Sequence, residues 1–331
     1  MERLVQLVLV SRTKTDPRLA RRMKILVIGA TISTKRILND LLKHREHEVA
    51  AIVTLVPELA ARKARFVTLD DVAVANGIEL TQVRRISDPD IFGSITNLNP
   101  DLIIESGWSQ IIPKSILAVP RYGCVGLHYG WLPDYRGGAS LNWALIRGEK
   151  IWGVSLFYLV ERVDEGGIID RRRFAIEDRD DIRIIYDKAD SLAIQMINDN
   201  LPAIAAGASD VIQQSKNEGV RLERRRPKDG EIDWTQSATT IHNLIRASTR
   251  PYPGAYTTFM NRKLIIWESQ VVNNRSGPPG SVMEIADGQG IIVGAGSGSL
   301  LIVRAQIEGQ IEQWGDELAH NLNLKQGDPI G

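Results

Sequence analysis

Lys24-Ile25-Leu26-Val27-Ile28-Gly29, followed by Thr34 to Lys43 and then by Glu48 to Thr54, decides the fold. The first run is apolar without alternation, which is how a strand covered on both faces reads. The second has helical composition and the third is strand-like again, so the three form a β-α-β unit. The pattern continues outward. Asp101 to Glu105, Cys124 to Leu127 and Val154 to Leu159 read as further buried strands, with helices at Leu69 to Ala75, Pro113 to Ala118 and Ser140 to Arg147. Pro113 suits a helix start, where its missing N–H costs nothing. The class predicted is α/β, a parallel sheet with helices on both faces.

From about Asp181 to Ile204, Ile182, Ile185, Tyr186, Ala189, Ala193 and Met196 recur at the spacing of one buried helical face. This helix closes a first domain over residues 23–205. Residues 206–227 are polar, carry Arg224-Arg225-Arg226 and show no period, as a linker would. A helix from about Ser237 to Ala247 then precedes short strands at Tyr256 to Met260, Lys263 to Glu268, Gly290 to Gly294 and Leu300 to Arg304. Gly and Pro turns separate them, so residues 228–325 are predicted to form a small, OB-like β-barrel. The length agrees, since 331 residues exceed what one average core needs.

Charge and composition exclude several functions. Lys plus Arg total 41 against 40 for Asp plus Glu, which provides no global field for steering onto nucleic acid or an anionic membrane. No apolar run approaches the ~20 residues of a membrane span. The single cysteine, Cys124, has no internal disulfide partner and fits a reducing compartment, the cytoplasm. Residues 1–22 are basic and mildly apolar but lack a cleavage site, and Glu2 and Asp16 disfavour a transit peptide, so they read as a disordered extension. Gly294-Ala295-Gly296-Ser297-Gly298 resembles a phosphate-cradling loop, yet a strand rather than a helix follows it, which makes it a hairpin turn. Gly29-Ala30-Thr31-Ile32-Ser33 lacks G-x-G-x-x-G, against a dinucleotide cofactor. His44 and His47 have no third ligand, so no metal is expected.

The chemistry concentrates in Gly126-Leu127-His128-Tyr129-Gly130-Trp131-Leu132-Pro133-Asp134-Tyr135-Arg136-Gly137-Gly138, followed by Asn142-Trp143-Ala144. His128 comes directly after a predicted strand, at the carboxyl end where open α/β sheets place their ligands. A histidine alone says little. A second element, Val163-Asp164-Glu165-Gly166-Gly167, ends the next strand, and a carboxylate on that Gly-rich turn can face the histidine. An Asp beside a His fixes its tautomer and favours the imidazolium, so the two form a candidate acid/base pair.

These segments, with Pro100-Asp101-Leu102-Ile103-Ile104 and Gly107-Trp108-Ser109-Gln110-Ile111-Ile112-Pro113, resemble the 10-formyltetrahydrofolate-dependent formyltransferase family. Asp229-Gly230-Glu231-Ile232-Asp233-Trp234 and Leu244-Ile245-Arg246-Ala247 through Pro251-Tyr252-Pro253-Gly254-Ala255-Tyr256 extend the resemblance, which spans about Met23 to Lys325. The resemblance implies a Rossmann-like catalytic domain and formyl transfer from the folate N10 to an amine, without metal or covalent intermediate. It implies His128 as general acid/base, oriented by Asp164. It also implies folate contacts from Gln110, Ile111 and Ile112, from Gly130, Trp131, Leu132 and Pro133, and from Val160, Glu161, Arg162 and Val163. Arg136 and Gly137 would hold the loop's shape. The sequence departs from the family at three positions: Gly126 stands where an Asn is usual, Gly130 replaces a Ser and Trp131 a Leu. Loss of one oxyanion donor typically costs ~10²–10³ in kcat, so a catalytically weak folate-binding module is one alternative.

For the acceptor, relatives that act on initiator tRNA carry a basic, Gly-containing insertion after the second strand. Here Val56 to Arg65 has Arg62, Lys63 and Arg65 but no such loop. Lys228 to Gly331 holds eight Lys/Arg against eleven Asp/Glu, a net charge of −3, where a domain gripping tRNA should be basic. The favoured acceptor is therefore a small amine, a nucleotide-linked amino sugar, with methionyl-tRNA as the alternative. Arg171-Arg172-Arg173 and Arg224-Arg225-Arg226 read as solvated charges, or as forks for a diphosphate. Oligomeric state is left open.

Overall fold

A computed structural model describes residues 22–60, 64–215 and 219–331. The expected extension, all but Arg22, lies outside these residues, as do Arg62 and Lys63. The first domain runs β1 (Lys24–Gly29), α1 (Ile32–His44), β2 (Glu48–Leu55), α2 (Pro57–Ala60), α3 (Asp70–Asn76), β3 (Glu79–Val83), α4 (Pro89–Leu98), β4 (Leu102–Ser106), α5 (Lys114–Leu117) and β5 (Cys124–His128). It continues with β6 (Arg136–Gly137), α6 (Ser140–Ile146), β7 (Ile151–Tyr158), β8 (Ile168–Ala175) and α7 (Ile182–Ala205). The unbroken apolar runs have the predicted cause. Ile25 and Val27 of β1 enter one core with Ile37, Leu38 and Leu41 of α1, while Leu26 and Ile28 enter the opposite core with Ile95 of α4 and Ile116 of α5.

The sheet order is β3-β2-β1-β4-β5-β7-β8. The first five strands are parallel; β7 runs antiparallel to β5, and β8 antiparallel to β7. A parallel return needs a crossover that carries the chain back along the sheet. Here Tyr129 to Ala139 is spent at the carboxyl end and α6 has only seven residues, so β7 starts at the end where β5 finishes, with His128 opposite Ser155. β3 and β8 escaped the sequence reading because both are edge strands; the central charges of β8, Asp170 to Arg173, are half-solvated.

α7 is capped by Asp181, whose carboxylate accepts from the Arg183 and Ile184 N–H groups. The predicted stripe on α7 is buried except at Tyr186, which is partly exposed. The linker is not a free tether. Ile212 exchanges both backbone hydrogen bonds with Ile168, and β9 (Arg221–Leu222) pairs with β6.

The second domain holds α8 (Ala238–Ser248), β10 (Ala255–Phe259), β11 (Arg262–Val272), β12 (Val282–Ala286), β13 (Gly290–Gly294), β14 (Ser299–Ile307), β15 (Gln313–Trp314) and α9 (Gly315–Asn321). Its sheet is antiparallel, paired in the order β10-β11-β14-β13-β12 with β15 beside β14. Ile241 and Ile245 of α8 close its core against Ile266, Ile291 and Ile302. The Gly294–Gly298 segment is the hairpin turn between β13 and β14.

Candidate active site

A cavity of about 620 Å³ opens at the carboxyl ends of β1, β4 and β5, where an open α/β sheet leaves its crevice. His128, the last residue of β5, lines it and is 7% exposed. Its Nε2 lies 2.7 Å from the Tyr135 carbonyl oxygen, which can only accept, so Nε2 carries a hydrogen. Its Nδ1 faces Asp164 Oδ2 at 3.7 Å. Both ring nitrogens therefore face oxygen.

The pair forms by a route the sequence did not indicate. β7 ends beside the start of β5, with Tyr158 opposite Val125, and the loop from Leu159 to Gly167 doubles back over the sheet to bring Asp164 to the histidine. Three contacts hold that loop. Asp164 Oδ2 accepts from the Gly137 N–H at 2.8 Å, and its carbonyl accepts from Arg136 Nε at 3.2 Å and from Gln214 Nε2 at 3.0 Å. Arg136, 5% exposed, also donates to Gln214 Oε1 and the Ser215 carbonyl. Gly137 has φ +108 and a Cβ there would stand 2.3 Å from the Leu222 carbonyl, so only glycine fits. Arg136 and Gly137 thus hold the Asp164 loop in place, and Gln214 joins them from the linker without any local sequence signal.

Of the residues expected at the folate, Gln110, Ile111, Ile112, Val160, Glu161, Arg162 and Val163 line this cavity. The Gln110 side chain is committed elsewhere, accepting from the Ile86 N–H and donating to the Arg84 carbonyl, which leaves its backbone for a ligand. Ile111, Val160 and Val163 are 67%, 46% and 45% exposed and form an apolar rim suited to a flat ring system. Gly130, Trp131, Leu132 and Pro133 are not among the lining residues. They pack away from the cavity: the Leu132 N–H donates to Ser155 Oγ, and the Arg171 and Arg173 guanidinium groups lie over the Trp131 ring, 4.5 and 4.0 Å from its centroid. Arg172 points to Asp170 and Asp199. The first arginine triplet is therefore structural.

The same cavity is lined by Tyr129, Gly138 and Arg224, which the sequence reading had marked without placing them together, and by Thr31, Ser33, Arg65, Ser140 and Tyr186, which it had not assigned to a site. Behind it Asp190, 1% exposed on α7, accepts from Ser33 Oγ (2.6 Å), Arg36 Nη1 (2.8 Å), Arg65 Nη2 (2.8 Å) and Tyr129 OH (2.5 Å). The Arg65 guanidinium stacks 3.9 Å over the Tyr186 ring. Burial first, then the charge of Asp190, pushes the Tyr129 hydroxyl well above its usual pKa. The only local signal was an acid, four residues after Tyr186, within an apolar helical face.

The formyl transferase family model matches residues 22–201, and its C-terminal domain model matches residues 225–323. A methionyl-tRNA formyltransferase of Geobacter metallireducens is 32% identical over 289 residues, 87% of this chain and 92% of that one. Among solved structures, HypX from Aquifex aeolicus in complex with tetrahydrofolic acid superposes with a TM-score of 0.66 at 21% identity. That match covers 94% of this chain but 49% of HypX, so this chain spans about half of that protein's length. WlaRD, a sugar 3N-formyl transferase solved in the presence of dTDP and 5-N-formyl-THF, superposes with a TM-score of 0.63 at 19% identity, covering 88% of this chain and 100% of WlaRD. With both domains matched in order and a histidine–carboxylate pair at the sheet's carboxyl edge, this chain belongs to the 10-formyltetrahydrofolate-dependent formyltransferases.

Proposed function

We propose that the chain formylates the primary amine of a nucleotide-linked amino sugar, with His128 and Asp164 as its acid/base pair. Folate sits against the wall made by residues 110–112 and 159–163, and the acceptor enters along the wall made by Arg65, Ser140 and Arg224. The amine adds to the formyl carbon, and the tetrahedral intermediate passes its excess proton through the His128 imidazole to N10, which leaves as the amine of tetrahydrofolate. With the Nε2 hydrogen held by the Tyr135 carbonyl, Nδ1 is the nitrogen that takes and returns the proton, and Asp164 stabilises the imidazolium formed in between.

One observation carries the acceptor reading. The cavity shares two wall residues, Ala64 and Arg224, with a neighbouring cleft of about 390 Å³ lined also by Arg225, Arg226 and Tyr252. Among the described residues the Arg224 guanidinium has no hydrogen-bond or ion-pair partner, and its stem packs along Gly138. A diphosphate lying against this shared border meets the Arg224 fork, which suits its oxygens. The tRNA alternative draws on the names of relatives such as the Geobacter protein, but it requires phosphate contacts from a second domain whose net charge is −3.

Single-turnover transfer from radiolabelled 10-formyltetrahydrofolate to a dTDP-linked amino sugar and to methionyl initiator tRNA separates the two. The sugar reading expects transfer to the nucleotide sugar and a rise in its KM of ~10–100-fold in Arg224→Ala, the loss of a charged hydrogen bond. Tight tRNA binding that weakens steeply between two salt concentrations in a mobility-shift assay, together with transfer to tRNA alone, overturns it.

A further inference from the structure

Gly126 and Glu105 are directly opposed in the β4–β5 register. Gly126 and His128 are two apart on β5, so they face the same side of the sheet. A Cβ built on Gly126 would stand 3.1 Å from Glu105 Oε2 and 2.5 Å from Leu159 Cδ2. The space that a side chain at 126 would occupy is therefore filled by the Glu105 carboxylate and Leu159. Glu105 lines the same cavity as His128, and its Oε1 accepts from the Trp108 N–H at 2.8 Å, which fixes the carboxylate's orientation.

We propose that Glu105 is a catalytic residue that binds the acceptor as an ammonium and takes its proton, a role made possible by the absence of a side chain at Gly126. The reaction requires such a group. A primary alkylamine with a pKa near ~10.4 is neutral in fewer than roughly one molecule in a thousand at pH 7. Only the neutral form has the lone pair to attack.

The protons balance. One ammonium proton passes to the Glu105 carboxylate, and the freed lone pair forms the N–C bond as the carbonyl electrons move to oxygen. The second passes from the new C–N⁺ centre through the His128 imidazole to N10, as the C–N10 bond breaks and the formamide carbonyl re-forms. Glu105 then releases its proton to water. A carboxylate also suits this wall electrostatically, because a cationic amine arriving between Arg65 and Arg224 needs an anionic partner near the formyl carbon. The other ionisable groups on the cavity wall that bear on the titration are Arg65, His128, Glu161, Arg162, Asp164 and Arg224.

The inference rests on formyl transfer to an amine and not on which amine is used. Its test is Glu105→Gln, which keeps the Oε1 acceptor for Trp108 and so preserves the loop. Transfer is followed with methylamine, the dTDP-linked amino sugar and hydroxylamine, which is already neutral at pH 7. With the two ammonium acceptors, kcat/KM should fall ~100-fold at pH 7, and the acid limb of the pH profile should move up to the acceptor's own pKa. With hydroxylamine the loss should shrink to within threefold. Equal losses on all three acceptors, an unmoved acid limb, or no transfer by the wild-type chain to any of them overturns the proposal. Loss of the folded baseline in a thermal melt redirects the test to Glu105→Asp, which must retain the wild-type acid limb.

Discussion

Replacing Asp190 with Asn tests the claim that one buried carboxylate organises the acceptor wall. Four donors converge on it: Ser33 and Arg36 from α1, Arg65 from the connection between α2 and α3, and Tyr129, the residue after His128. The two cations differ in burial. The Arg65 side chain is 7% exposed, and removing the partner of a buried charge costs about 3–5 kcal/mol. The Arg36 side chain is 40% exposed and also pairs with Asp187, so its share is about 0–1 kcal/mol. Asn keeps an oxygen for the Ser33 and Tyr129 hydroxyls, so those bonds weaken without being orphaned. The sum is about 3–6 kcal/mol, equivalent to a fall in Tm of roughly 6–24 °C for a domain of this size. Urea and thermal unfolding followed by circular dichroism measure it. Asp190→Asn combined with Arg65→Met should recover most of the loss, because it removes the stranded charge while the amide oxygen stays for the two hydroxyls. A single-variant loss below about 1 kcal/mol, or a double variant no better than Asp190→Asn, would falsify the reasoning.

Four further outcomes follow from the same geometry. His128→Ala should abolish transfer while folate affinity, measured by fluorescence quenching, stays within about tenfold, since its contribution belongs to the transition state; equal losses of binding and turnover would contradict the role. Gly126→Asn should lower both Tm and turnover, because its Cβ would meet Leu159 at 2.5 Å and crowd the Glu105 carboxylate; a gain in rate would show that an amide at 126 was simply missing. Burial pushes the Cys124 thiol up to about 12, so a thiol-reactive dye should leave the native protein unlabelled at pH 8 and react fully in urea. Burial also raises Tyr129, Tyr186 and Tyr252. The unfolded chain then releases phenol protons near pH ~10 while the native state holds them, so stability should be constant below that pH and fall above it; an unchanged unfolding free energy at pH 11 refutes this.

Much of the molecule is legible in the chain itself. Continuous apolar runs such as Ile25 to Ile28 can only be strands covered on both faces, because each neighbouring side chain must enter a different core. The α7 stripe, the hairpin at Gly294–Gly298 and the position of His128 at a strand end follow from local periodicity and turn chemistry, which depend on neighbours within a few residues. Asp164 stood out by its place on a Gly-rich turn after a strand, though in a sheet taken as parallel throughout.

Tertiary structure decided the rest, because those features depend on residues far apart in the chain. The direction of β7 was set by how much chain is spent at the sheet's carboxyl edge, and with it the doubled-back loop that carries Asp164 to His128. Asp190 gathers Ser33, Arg65 and Tyr129 across separations of 157, 125 and 61 residues, which no local pattern encodes. Glu105 and Gly126 became neighbours through strand register alone. Two arginine triplets of equal composition were separated by place: one puts two of its members over a tryptophan ring, the other lines a cleft beside the cavity that holds His128. Composition specifies charge, but only packing determines which charges are already spent on a partner and which remain for a ligand.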